Sequence, residues 1–288
     1  MLIFPYLERR GIVAVPRVLW GREDQAMVKL REILSSLENP VEEARVELAS
    51  KLLELAQELS ELVFRENKIL YPAVYALFSE GEWAAIAEIA RDIGYIVDTG
   101  EGEWRPSAEP VYPYELEVSV TPEQLEKLPP EFKAAALQSG LTPDTYRVER
   151  EGDIKLETGF LTPEEIEGIF RSLPLEVTFA DPNDRVRFYS RSELAEGFVR
   201  AKTILGRRIP FCHPPRLEKY VMLNVDLIKK GQYRFREFWT KQGDRVIRVI
   251  VAPVRAKDGR YLGTLEVVED LTEVVNNPEE VKKKVVVL

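Results

Sequence analysis

The spacing of apolar residues changes once along this chain, near residue 160, and that change limits the folds open to it. Residues 22 to about 98 repeat apolar side chains at intervals of three and four, as in "QAMVKLREILSSLEN", which is the period of an amphipathic helix. After Phe160, short segments of strand type predominate, among them "EVTFA", "RVRFYS" and "RVIRVIVAPVR". The sequence therefore predicts an α+β protein, with a helical bundle followed by a sheet.

The predicted sheet is antiparallel because short turns join its strands. "EVTFA" and "RVRFYS" flank residues 181–184, "YRFREFWTK" and "RVIRVIVAPVR" flank residues 242–244, and residues 257–260 lead into "YLGTLEVVEDL". Each turn carries Gly, Asn or Asp, which are the residues of hairpin turns. We expect a five-stranded antiparallel sheet with helices on one face, and a bulge or an edge at Pro253, which cannot donate to a ladder.

The helical part is predicted to be a bundle with identifiable helix ends. Pro72 should break or kink the second helix, and Ser79 with Glu82 has the spacing of a capping box. Residues 99–158 are predicted to be a linker with a connector helix, and Thr162 ahead of Pro163 predicts the start of the next helix. Three tryptophans are expected to be core or hinge packing residues rather than part of a cofactor site: Trp20, Trp83 and Trp104.

Composition limits the partners and the compartment. The 40 basic and 49 acidic residues leave a net charge of -9, so nucleic acid is not an expected partner. A single cysteine forbids an internal disulfide and fits the cytoplasm. No run of 18 apolar residues and no export signal at the start is present, so no membrane is expected. Charged residues at 31% with three Met and one Cys indicate a thermophile source.

Several motifs resemble a known family. "LGRRIPFCHPPRLEKYV" and "GRYLGTLEVVEDLTEV" resemble the PAS domain of an uncharacterised prokaryotic family that joins a hemerythrin-like HHE cation-binding domain to a C-terminal PAS domain. "LIFPYLERRGI" and "PRVLWGRED" look like the helical domain of that family. The resemblance implies a hemerythrin-like domain over residues 1–98, a linker and connector helix over 99–158, a PAS domain over 159–275 and a tail over 276–288.

A di-iron centre of hemerythrin type needs several imidazoles and carboxylates on facing helices. The helical half contains no histidine. The family places a histidine where Glu23 stands here, and another just before Glu66. Glu23, Asp24 and Glu66 are therefore only weak metal candidates, more simply read as a solvated helix face, and no di-iron centre is expected.

The start of the chain resembles the interior of a domain. "LIFPYLE" and "ILYPAVY" are two copies of one short pattern, as an internal repeat implies. A long helix precedes the second copy, whereas only Met1 precedes the first. The helical domain is therefore expected to be incomplete at its N-terminus, and any residues before Met1 bear on the metal prediction.

The only histidine and the only cysteine are adjacent, in "RRIPFCHPPRLEKYV". His213 is open to three interpretations: a haem ligand, a contact to a small organic ligand, or a scaffold residue at a helix start. Cys212 is either a redox-sensing thiol or a small buried hydrophobe. A PAS cavity is predicted between the sheet and the helix after Pro215, and Trp239 faces either that cavity or the outer sheet face. The predicted ligand-binding residues are His213, Cys212, Phe179, Phe188, Phe211, Tyr220 and Trp239.

No catalytic set can be assembled from the sequence. A Ser-His-Asp triad could use only the single histidine, and no such triad can be assembled around it. No Walker or dinucleotide-binding glycine pattern is present. The sequence therefore predicts a non-enzymatic sensory or regulatory protein that binds a small molecule or a partner. The alternative is a metal- or haem-binding oxygen or redox sensor. The resemblance also implies a homodimer, formed through the outer sheet face or the helix "TPEEIEGIF".

Overall fold

The protein has a helical first half and a sheet in its second half, as the sequence predicts. The computed structural model describes residues 2–38, 45–95, 97, 104–195 and 197–286. The chain divides into two compact units, Met1–Arg150 and Glu151–Leu288.

The described part of the first unit is built from helices. They are α1 (Phe4–Arg9), α2 (Ala14–Glu38), α3 (Arg45–Arg65), α4 (Tyr71–Leu77), α5 (Glu80–Ile93), α6 (Pro122–Lys127) and α7 (Pro130–Gln138). A π-helical turn, Glu66–Leu70, stands directly ahead of α4. Pro72 lies in the first turn of α4. A wider turn is one of the usual ways in which a helical path accommodates such a residue, so the predicted break takes the form of a π turn.

The predicted linker differs from the structure. Leu116, Leu128, Phe132 and Ala136 are buried in the same core as Tyr6 and residues of α4. The compact units therefore divide after Arg150 rather than near residue 98. The physical reason is that Phe132 and Ala136, four residues apart, give α7 a buried apolar face, and Leu128 at the end of α6 is buried with them. Residues 98–103 lie outside the described residues.

The three tryptophans have different environments. Trp83 packs against the core of the first unit. Trp20 and Trp104 are 57% and 58% exposed. Core packing is therefore confirmed for Trp83 and wrong for Trp20 and Trp104.

The second unit begins with a two-stranded sheet and continues with a five-stranded one. Its strands are β1 (Ile154–Leu156), β2 (Gly159–Leu161), β3 (Glu176–Ala180), β4 (Val186–Tyr189), β5 (Arg236–Gln242), β6 (Arg245–Arg255) and β7 (Tyr261–Asp270). Its helices are α8 (Pro163–Ser172), α9 (Pro215–Lys229), α10 (Thr272–Asn276) and α11 (Pro278–Lys283). The larger sheet is antiparallel in the order β4-β3-β7-β6-β5.

Pro253 lies near the end of β6. The pairing of β6 with β5 ends at Val251, and the register with β7 shifts between Val254 and Arg255. Pro253 therefore lies where β6 has lost one neighbour and stands beside an irregularity. This matches the expectation of an edge or a bulge.

Strand register defines the two faces of the larger sheet. Phe238, Val249, Val268 and Glu176 lie side by side across four strands, and Tyr220 of α9 contacts Phe238 with ring centroids 5.7 Å apart. We call this side the inner face. The opposite side is the outer face, and there Phe170 of α8 contacts Phe188 of β4 at 4.8 Å. Helices therefore contact both faces, which corrects the expectation of one.

Candidate ligand site on the inner face of the sheet

The predicted cavity residues do not share one face of the sheet. Side chains alternate between faces along a strand, and Phe179 pairs with Phe188 and Leu265, one position away from the inner-face row. Trp239 pairs with Arg248, whose guanidinium lies 6.0 Å from the indole ring. Phe179, Phe188 and Trp239 therefore lie on the outer face, and the prediction of a single cavity lined by all the predicted residues is wrong. Of the two orientations that the sequence leaves open for Trp239, the structure shows the one towards the outer sheet face.

His213 and Cys212 lie in a tight turn that leads into α9. Residues Ile209–Cys212 form a 3₁₀ turn, and His213 Nδ1 is 2.9 Å from the Ile209 carbonyl oxygen. A carbonyl oxygen only accepts hydrogen bonds, so Nδ1 carries the proton and Nε2 is the acceptor nitrogen of the neutral ring. Cys212 is exposed as a residue, with its sulfur 3.6 Å from the Arg208 carbonyl oxygen. Desolvation of the sulfur raises the pKa of Cys212, which keeps the thiol protonated at neutral pH.

An arginine held between two carboxylates lies beside this turn. Arg200 Nη1 is 2.8 Å from Glu176 Oε2, and Arg200 Nη2 is 2.7 Å from Glu266 Oε1. The Arg200 side chain is only 9% exposed. Both glutamates are on the inner face. We call Glu176, Arg200 and Glu266 the inner triad; with one positive and two negative groups it carries a net charge of -1.

The inner triad is fitted closely to its surroundings. The Arg200 guanidinium carbon lies 5.6 Å from the Phe198 ring centroid. A Cβ on Gly197 would lie 2.0 Å from Glu176 Oε2, so the backbone at Gly197 lies directly against this carboxylate. Only glycine allows this approach.

Next to the inner triad lies a buried hydroxyl. Thr178 pairs with Glu266 across β3 and β7 and shares the face of Glu176. Its Oγ1 is buried and has no hydrogen-bond partner among the residues that the structure describes. An unsatisfied buried hydroxyl is unfavourable by about 1–3 kcal/mol. A polar group of a ligand at this place would remove that penalty.

Aromatic surface is available near the inner triad. Phe211 and Tyr220 are 52% and 51% exposed. They flank Cys212 and His213 in sequence, and the charges of Glu266 and Arg200 are close enough to Cys212 to influence its pKa. The structure thus brings Cys212 and Tyr220 to the side of the sheet that carries the inner triad.

The position of α9 over the inner face is fixed at its C-terminal end. Lys229 Nζ is 2.6 Å from Asp184 Oδ1 in the turn between β3 and β4. Arg255 of β6 donates to the carbonyl oxygens of Ile228 and Lys229 at 3.3 and 3.0 Å. A cation near the last carbonyls of a helix also interacts favourably with its dipole.

The weak metal candidates lie in the first unit. Partial burial, followed by the nearby Glu23 carboxylate, raises the pKa of Glu66 above its ordinary value. Glu23 and Glu66 are therefore neighbours, whereas Asp24 is exposed on α2. Within the described ranges, no group of three or more His, Cys, Asp or Glu side chains is placed to hold a metal ion.

The second unit has the order and topology of a PAS domain, and residues 166–272 match the PAS domain family. The prediction of a PAS domain is therefore confirmed for these residues. No curated protein matches the chain.

Three solved structures illustrate what this part of the chain is similar to. The C-terminal domain of a Streptococcus mutans protein is 27% identical, with a TM-score of 0.40 over 44% of this chain and 98% of that one. A sensory box sensor histidine kinase from Vibrio cholerae is 12% identical, with a TM-score of 0.28 over 37% and 90%. Vibrio cholerae VqmA, in a complex with ligand and DNA, is 21% identical, with a TM-score of 0.31 over 44% and 62%.

Four expectations from the sequence stay predictions: the hemerythrin-like character of residues 1–98, the thermophile source, the cytoplasmic location and the lack of a nucleic-acid partner. In the described part of the chain, no helix is both long and apolar enough to span a membrane.

The sequence did not reveal the inner triad. Arg200 meets carboxylates 24 and 66 positions away in the chain, and neither separation has a local signal. The alternation of β3 and β7, combined with their register, would have placed Glu176, Thr178 and Glu266 on one face. Only the register, which is a long-range property, was missing.

Proposed function

We propose that this is a non-enzymatic sensory or regulatory protein whose PAS domain binds a small molecule on its inner face. One observation carries the proposal: a partly buried ionic triad stands beside a buried hydroxyl without a hydrogen-bond partner among the described residues, on the side of the sheet that also carries the half-exposed ring of Tyr220. Aromatic surface with a few convergent polar groups is the usual composition of a small-molecule site. The helical first unit then relays the ligand state.

The charge of the inner triad selects the class of ligand. The two carboxylates leave a net charge of -1 after pairing with Arg200. A ligand with N–H donors or a positive charge is attracted to this cluster, whereas a carboxylate ligand is repelled and loses its hydration. We therefore propose a small aromatic or apolar ligand that presents a donor group to Glu266 and Thr178.

The experiment compares benzylamine, benzyl alcohol and benzoate as probes. We expect benzylamine to raise the Tm of the protein more than benzyl alcohol, and benzoate to leave it unchanged. Glu266→Gln should reduce the benzylamine effect, because it removes half of the acceptor charge. The matched control is Glu269→Gln on the outer face, where Glu269 pairs with Arg248. Equal effects of the three probes, or equal effects of the two variants, would contradict the proposed site.

A second candidate function is haem binding through His213. Nδ1 is bonded to the Ile209 carbonyl oxygen, and a backbone carbonyl bonded to the non-ligating nitrogen is the arrangement that ligating histidines use. The test is the absorption spectrum of protein purified from cells supplied with iron and a haem precursor. A Soret band that disappears in His213→Ala would support this candidate. A spectrum without such a band would refute it.

A further inference from the structure

The helix pair α2–α3 has two apolar stripes, and only one of them is buried. The buried stripe contains Ala26, Ile33, Leu55 and Leu62 and holds the two helices together. A second set of six apolar residues is between 44% and 57% exposed. We call this set the open strip: Trp20, Met27, Leu34, Leu52, Leu59 and Val63.

The open strip lies on one side of the helix pair. Only residues 39–44 separate α2 from α3, and the middle of each helix meets the other through the ion pair of Lys29 with Glu58, so the helices are antiparallel. On a helix with about 100° per residue, Met27 and Leu59 fall on the side away from this ion pair. Trp20, Met27 and Leu34 recur every seven residues, which keeps them on that side.

The open strip is large enough for a stable contact. With roughly 100 Å² left exposed on each side chain, it presents about 600 Å², at the upper limit for exposed patches on monomers. A standard interface buries about 800 Å² per partner. The open strip and its polar edge together reach that size.

We propose that the open strip binds the open strip of a second copy of this chain, so that two helix pairs form an antiparallel four-helix assembly. A two-fold axis perpendicular to the helices, passing near Met27, places Trp20 against Leu34 of the second copy. The same axis passes α3 between Ala56 and Leu59 and places Leu52 against Val63 of the second copy. Both helices can satisfy one axis because Lys29, two residues from Met27, pairs within the chain with Glu58, which lies between Ala56 and Leu59.

Charge along the edge of the open strip fits the same axis. Asp24 and Arg31 are both exposed and stand seven residues apart on α2, beside Met27. A two-fold axis near residue 27 brings Asp24 of each copy to Arg31 of the other. The edge therefore contributes two opposite-charge pairs, whereas a parallel arrangement would place like charges together.

The first experiment measures mass against concentration by analytical ultracentrifugation of the full chain. We expect a dimer, and Met27→Glu should raise its dissociation constant by about tenfold or more, because it places two carboxylates near the axis. Val28→Glu is the matched control, since Val28 is 43% exposed but points away from the open strip. A monomer at all concentrations overturns the proposal, as does a dimer that resists Met27→Glu.

The second experiment tests the orientation. Asp24→Arg and Arg31→Asp should each weaken the dimer, and the double variant should restore it. In a Cys212→Ser background, Met27→Cys should form a disulfide between copies, whereas Leu34→Cys should not. The two Leu34 positions lie seven residues on either side of the two-fold axis, about 20 Å apart along the helix direction. Circular dichroism checks that each variant is folded. Efficient crosslinking of Leu34→Cys, or no recovery in the double variant, overturns the antiparallel arrangement.

Discussion

Arg10 and Glu82 form an ion pair inside the first unit, with Arg10 Nη1 2.7 Å from Glu82 Oε1 and side-chain exposures of 3% and 2%. The other oxygen of Glu82 accepts hydrogen bonds of 2.8 to 2.9 Å from Arg10 Nη2 and from the backbone N and hydroxyl of Ser79. Arg10 also donates to the carbonyl oxygens of Tyr6 and Leu77. The Glu82 carboxylate therefore caps the N-terminus of α5 and also neutralises the buried guanidinium of Arg10.

Glu82→Gln should lower the free energy of unfolding by about 3–5 kcal/mol, because it leaves a buried positive charge without its partner. Urea denaturation followed by circular dichroism measures this. The control is Lys51→Gln, which removes an exposed i,i+4 pair with Glu47 and should leave the midpoint unchanged. A loss of less than about 1 kcal/mol in Glu82→Gln, as for a surface pair, would show that the guanidinium is satisfied by carbonyl oxygens alone.

Two glycines of the PAS unit should respond to alanine in opposite directions. Gly263 has a φ of 153°, and a Cβ there would lie 2.1 Å from the Ala180 carbonyl oxygen and against the Phe179 ring. Gly263→Ala should therefore destabilise the unit by more than about 1 kcal/mol. Gly168 lies within α8, with nothing within 4 Å of an added Cβ, so Gly168→Ala should stabilise by about 0.5–1 kcal/mol. Thermal unfolding measures both, and a shift in the same direction contradicts the pair of predictions.

Glu66 should make the first unit less stable as the pH rises. Its pKa is raised in the folded state by burial and by Glu23, so the folded state binds this proton more tightly than the unfolded state. The resulting stability is present below the unfolded pKa of Glu66 and is lost as pH rises through the folded pKa. Glu66→Gln should therefore stabilise the protein at neutral pH, and the gain should vanish in acid. A gain that is equal at both pH values would exclude ionisation as its cause.

Local signals predicted local structure well. Ser79 with Glu82 and Thr162 with Glu165 both form the capping boxes of their helices, because the partners are three residues apart. The hairpins also form at the turns that the sequence indicates. These features depend on interactions within a few residues, and the sequence states them directly.

Contacts between residues that are distant in sequence could not be predicted. Phe179 and Tyr220 are both predicted cavity aromatics, yet the pairing of Phe179 with Leu265 and Phe188 puts Phe179 on the outer face. Residues 99–158 are predicted to be a linker because Gly, Pro and acidic residues dominate the beginning of this segment, whereas Phe132 supplies a buried side chain to the first core. In both cases the deciding partner is distant in sequence, so composition and period could not identify it.

His213 should act as a scaffold residue for the turn before α9. Its Nδ1 bonds to the Ile209 carbonyl oxygen, so His213→Ala removes one partly buried hydrogen bond and should cost about 1 kcal/mol. His213→Asn is the matched variant, because the Asn side-chain amide can donate from nearly the position of Nδ1. We expect the Tm of His213→Asn to lie close to that of the unaltered protein and above that of His213→Ala. Benzylamine should bind the Ala and Asn variants alike if the inner triad, rather than the imidazole, recognises the probe. Weaker probe binding in both variants, with an unchanged Tm, would instead make His213 a ligand contact.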